Sequence, residues 1–185
     1  MITDKIIDTY IEILNEELLV AMGCTEPIAI AYASSVLRNM LKDNPKRIKA
    51  GFSGNIIKNV KSVIVPATGG MHGLSAAICA GIIANAPDKK LEVLCSLKKE
   101  DADKIKSYHD TVEIEIYEIE TDEAFEVDLQ ADGARVHFAK RHTNITLAEC
   151  NGKDYTDKYS GGQADTVIGE SVDRSSLTVE KIIEF

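Results

Sequence analysis

The stretch Gly23-Cys24-Thr25-Glu26-Pro27 sets a thiol two residues before a carboxylate, where one helical pattern stops and another starts. A thiolate at a helix start is stabilised by unpaired backbone N–H groups and by the helix dipole, which lowers its pKa. Such a sulfur serves as a metal ligand or a nucleophile. The other use of a cysteine in such a bend is as a small buried hydrophobe, and the local sequence leaves both open. A nucleophile needs a base, which His72 or His142 could supply once the chain folds. The remaining cysteines, Cys79, Cys95 and Cys150, lie in apolar or strand-like surroundings and are expected in the core.

Three further loops carry polar groups that packing does not demand. Ser53-Gly54-Asn55-Ile56-Ile57-Lys58-Asn59 places Ser53 and Asn55 at the start of a short helix, suited to a carboxylate, with Lys58 as an added positive charge. The bland counterpart is a capping Ser or Asn beside a solvated Lys. In Pro66-Ala67-Thr68-Gly69-Gly70-Met71-His72-Gly73, the paired glycines let backbone approach a ligand, though the stretch lacks the phosphate-loop pattern. His72 there is a donor or base, or a hydrogen-bonded structural residue. Arg141-His142-Thr143-Asn144-Ile145 falls where one strand hands over to the next. His109 and His137 receive no role.

These loops need elements to hold them. Apolar residues at three- and four-residue spacing predict an amphipathic helix over 4–22, closed by Gly23. A second helix follows, capped by Thr25, with Pro27 in its first turn and Asp43-Asn44-Pro45 as its stop. Residues 47–52 read as a strand, 74–86 as a buried helix of small residues, 91–97 as another strand and 98–109 as a surface helix. From 112 onward, VEIEIYEI, AFEVDLQA, ARVHFAKR and TNITLAEC alternate apolar and polar positions, with a hairpin signal at Ala131-Asp132-Gly133. The fold class is α+β: N-terminal helices and a buried small-residue helix packed with a mixed sheet, followed by an antiparallel β-meander. The last residues begin a helix as the chain stops, which reads as a fragment boundary, so 1–185 is expected to be a single N-terminal domain of a longer protein.

Composition narrows the partners. The chain carries 30 acidic and 21 basic residues, a net charge of −9, which disfavours nucleic acid. No run approaches the ~20 apolar residues that cross a bilayer, and no signal peptide is evident, so a cytoplasmic protein with reduced thiols is expected. No CxxC pair marks a zinc knuckle. The oligomeric state is open, a homo-oligomer included.

Taken together and in order, GCTEP, SGNIIKN, VPATGGMHG and RHTNI resemble the L-cysteine desulfidase family, related to the iron–sulfur L-serine dehydratase alpha chain. The resemblance implies a lyase that removes hydrogen sulfide from L-cysteine, giving pyruvate and ammonia, or one that dehydrates L-serine. It implies a [4Fe–4S] cluster with Cys24 as its first ligand and the others in a missing C-terminal domain or companion subunit. Ser53, Asn55, Lys58, Thr68, Gly69, Gly70 and Asn144 would bind the amino-acid substrate, and His72, His142 or Glu26 would take the α-proton. The fragment alone is expected to be inactive. Two other readings compete: a module that binds a small amino acid without chemistry, and a cluster-free cysteine nucleophile.

Overall fold

The computed structural model describes residues 3–18, 21, 23–160 and 172–185. They fall into two compact units, one drawn from both chain ends and one from the residues between.

In the terminal unit, helix α1 (Asp4–Glu17) buries Tyr10 and Ile13. Tyr10 donates to the Ser176 carbonyl at 2.9 Å and meets the Phe185 ring edge-on at 5.2 Å. A short helix, Val179–Glu184, is capped by Thr178, whose hydroxyl accepts from the Lys181 N–H at 3.3 Å. The helix expected to reach residue 22 stops at Glu17, because Leu18 is already extended (φ −84°, ψ 121°). Apolar spacing persists beyond the backbone's change of direction, so Gly23 does not close this helix.

The central unit is layered. Helix α2 (Thr25–Met40) is buried without a break from Pro27 to Leu37, since it lies between a sheet and further helices. Cys24, rather than Thr25, is its N-cap. Strand β1 (Arg47–Ser53) runs directly into helix α3 (Gly54–Val60). Helix α4 (Leu74–Ala84) packs on α2 at very short range: a Cβ on Gly81 would lie 2.0 Å from the Ala31 carbonyl oxygen. The small residues that marked 74–86 as buried are what permit this approach. Helix α5 (Asp101–His109) packs on α4.

Residues 91–97 form no strand. They belong to 3-10 turns over Pro87–Ser96, kinked at Lys90 (φ 47°), with Leu91 and Leu94 turned inward three residues apart. Both edges of β1 are taken by other strands, β2 and β3. Cys95 in these turns is exposed, against the expectation of a core position, whereas Cys79 and Cys150 are buried.

The sheet is completed by β2 (Glu113–Ile119), β3 (Glu126–Ala131), β4 (Ala134–Ala139), β5 (Ile145–Cys150) and β6 (Lys153–Asp154), in the order β2-β1-β3-β4-β5-β6. β3 to β5 are the expected antiparallel meander, which the two-residue β6 extends. The alternation in β2 also suggested a meander strand, but β2 is a parallel edge strand on β1. Alternation reports a half-wet surface and carries no information on strand direction. Asp132 and Gly133 both take positive φ (47° and 79°), as the two-residue hairpin requires. Ile48, Ala50, Phe52, Val127, Leu129, Val136 and Phe138 face the helices, where Tyr32 meets Phe138 edge-on at 5.2 Å.

Candidate functional site

The C-terminal end of β1, the N-terminal end of β3 and the C-terminal end of β4 lie on one edge of the sheet, since Phe52 pairs with Val127 and Glu126 with Ala139. The start of α2 is held there by α3. Glu26, in the first turn of α2, accepts from the Cys24 thiol at 3.2 Å through Oε2 and from Asn59 Nδ2 at 3.4 Å through Oε1. His142, in the turn between β4 and β5, lies within range of the Glu26 charge. Its imidazole packs against the Phe125 ring, centroids 4.5 Å apart. Residues of GCTEP and SGNIIKN thus touch directly, whereas His142 of RHTNI forms no ion pair with Glu26 and feels only its charge.

Electrostatics set the protonation of this cluster. Burial works against the Glu26 carboxylate, but its own N–H, the Cys24 thiol, the Asn59 amide and His142 outweigh it and hold its pKa below the usual range. Burial pushes the half-buried His142 below the ordinary imidazole value, and the Glu26 charge only partly offsets this. Burial, then the hydrogen bond and charge of Glu26, push the Cys24 thiol up, despite the N–H groups of Glu26 and Thr25. The lowered thiol pKa expected at a helix start is therefore reversed: burial first, then the neighbouring carboxylate, outweigh the helix terminus. At neutral pH the site holds a thiol, a carboxylate and a neutral imidazole. Cys24 is exposed, which discards the reading of a buried packing residue.

The other candidates are placed as follows. Ser53 is 1% exposed and donates to the Ala124 carbonyl at 3.0 Å, and Asn55 donates to the same oxygen at 3.3 Å. Both therefore fix the segment that carries Phe125. The start of α3 faces a carboxylate of the protein itself, since a Cβ on Gly54 would lie 2.4 Å from Glu118 Oε1. Lys58 is exposed. Asn144 donates to the Ala139 carbonyl at 3.0 Å and so holds the turn that presents His142.

Thr68 is buried and donates within its own loop, to the Val65 carbonyl at 2.7 Å and the Met71 carbonyl at 3.3 Å. The base of that loop is next to the Cys24 segment, a Cβ on Gly23 lying 3.5 Å from Pro66 Cγ. Gly69 lies beside Ala102 of α5, and Gly70 has open space on its Cα. His72 is exposed on the strand-like bridge to Ile64. Two participants were missed from sequence: Asn59, although it stands in a quoted motif, and Phe125. Asn59 carries a signal, standing on the same short helix as Lys58, but its target lies across the fold.

The chain is 41% identical over 186 residues to a UPF0597 protein of Desulfitobacterium hafniense, covering 98% of this chain and 43% of the relative. It is 37% identical to a UPF0597 protein of Treponema denticola over 96% of this chain and 42% of the relative. A UPF0597 protein of Lachnoclostridium phytofermentans is 35% identical over 95% of this chain and 42% of the relative. The chain thus spans about two fifths of the length of these relatives. No protein-family model and no solved structure matches. The assignment to the L-cysteine desulfidase family is corrected accordingly: these relatives carry the UPF0597 designation, and their names state neither desulfidase nor dehydratase activity.

Proposed function

We propose that Cys24, Glu26 and His142 are the proton-handling part of a lyase site that eliminates hydrogen sulfide from L-cysteine, or water from L-serine. The observation that supports this reading is the hydrogen-bonded Cys24–Glu26–Asn59 group, whose carboxylate charge also acts on His142 of a third motif. The site contains a carboxylate fixed by two donors and an imidazole kept neutral by burial. Neutral His142 takes the α-proton, and Glu26 stabilises the imidazolium that results. The C–H electron pair becomes the Cα–Cβ double bond as the Cβ–S bond breaks, and the His142 proton leaves with the sulfide. The aminoacrylate tautomerises to an imine, and water converts that to pyruvate and ammonia, so the balance needs no oxidant.

A [4Fe–4S] cluster does not fit the described residues alone. None of them forms a group of three or more His, Cys, Asp or Glu arranged for a metal ion, and Cys24 is the one thiol at this site. No step is routed through a cluster. The activity is proposed for the site as completed by a C-terminal domain or companion subunit. A nucleophilic Cys24 fits less well, because its raised pKa keeps it a thiol.

The test is sulfide and pyruvate release from L-cysteine and L-serine by anaerobically purified protein together with the completing domain or subunit. His142→Asn is expected to lower kcat by roughly 10²–10⁴-fold, the usual worth of a general base. Turnover unchanged in that variant would contradict the assignment.

A further inference from the structure

The face of the sheet away from the helices carries a second polar construction. Across the strands, Glu115, Lys49, Gln130, Arg135 and Glu149 stand in one register row. In the next row, Asp128 is 5% exposed although the face is open. Its carboxylate accepts from Tyr117 at 3.0 Å, from Gln130 at 2.9 Å, and from Arg135 Nε and Nη2 at 2.9 and 3.3 Å. Burial opposes the Asp128 charge, but these bonds outweigh it and hold its pKa below the usual carboxylate value.

Such a network fixes its members. Arg135 is locked through two nitrogens, and among the described residues its Nη1 has no partner. Tyr117 lies flat across Gly51, where a Cβ would come within 2.5 Å of the ring, and its face carries the Lys49 ammonium 5.0 Å from the centroid. Lys49 forms no ion pair with a described residue. Both cations border an open hollow of about 500 Å³, which Asp132 and Glu149 also line, Glu149 as the cross-strand neighbour of Arg135. Arg47 also lines it but is paired with Glu113 at 2.8 Å.

We propose that this hollow binds the zwitterion of a small α-amino acid, its carboxylate on Lys49 and Arg135 and its ammonium on Glu149. Two cations with a carboxylate beside one of them match that charge pattern, and the volume suits a small molecule. The site is separate from the Cys24 cluster: Lys49 lies four residues before Ser53 on β1, or about 13 Å. The proposal therefore stands without the lyase reading.

The experiment titrates isotope-labelled protein with glycine, acetate and methylammonium, following backbone amides by NMR. Saturable glycine shifts are expected at 47–51, 130–135 and 149. Lys49→Ala should weaken both glycine and acetate, on the order of five-fold for exposed charge pairs, and Glu149→Gln should weaken glycine but not acetate. Glu26→Gln should leave all of these shifts in place. Glycine shifts confined to the residues around Cys24 and His142, an absence of saturation, or equal affinity in both variants would overturn the proposal.

Discussion

The edge of the sheet around Cys24 and the open face around Asp128 each gather a carboxylate with side chains from distant segments, yet they are built from opposite materials. At the edge, Glu26, Asn59 and His142 come from loops and helix starts, and the groups are half-buried or exposed. On the open face, Tyr117, Asp128, Gln130 and Arg135 come from regular strands, and the carboxylate is sealed. The difference teaches that burial and exposure divide the work. Asp128 is satisfied on all sides and holds other side chains still, whereas the Cys24 thiol and His142 keep atoms open to a substrate.

The contrast predicts that the strand-built cluster matters most to stability. Asp128→Ala should cost about 2–3 kcal/mol, since it strips a buried carboxylate from three partners, with Arg135 remaining partly solvated. Urea unfolding measures this, and the His142 titration should not change. A loss below about 0.5 kcal/mol would show that the sealed carboxylate is not a structural anchor.

The two regions should also separate along the pH axis. His142 is held below its unfolded pKa of about 6.5, so the unfolded chain binds the proton first. Stability linked to it is full above that value and declines as pH falls below it. Asp128 is held below about 3.8, so its contribution persists to lower pH and is lost as pH falls through its folded pKa. Unfolding free energies measured from pH 8 to pH 3 should show two declines. His142→Asn should remove the one that begins near pH 6.5, and Asp128→Asn should shrink the one that begins near pH 4, to which Glu26 and Glu126 also contribute.

A smaller effect is expected from the carbonyl clamp. Ser53→Ala should cost about 1 kcal/mol and Asn55→Ala less, because each removes one hydrogen bond to Ala124 and the other stays. Loosening this segment shifts Phe125 against the imidazole, so the His142 pKa should rise toward its ordinary value. A stability loss with no change in His142 would make the clamp structural only.

How much of this was legible in the sequence follows from the same contrast. The buried helix at 74–84, the meander and its Asp132-Gly133 hairpin were readable, because small residues, alternation and turn residues are local signals. Cys24 and Glu26 stood out because glycine and proline bound their motif, and His142 because it falls where one strand hands over to the next. The thiol's raised pKa was not legible, since it depends on how far the fold desolvates Cys24 and on the rotamer that points it at Glu26. The Asp128 cluster was invisible, because Tyr117, Asp128 and Arg135 are the ordinary wet positions of alternating strands, and only cross-strand register assembles them. The direction of β2 was hidden for the same reason: it depends on which sheet edge is free.

The central claim is that Glu26 and His142 act as one unit beside Cys24, and NMR titration of the His142 ring in wild-type and Glu26→Gln protein tests it most directly. The account predicts a wild-type pKa below the ordinary imidazole value of about 6.5, and a lower one in the variant, where the carboxylate no longer favours the imidazolium. A His142 titration identical in the two proteins would separate the residues and contradict the account.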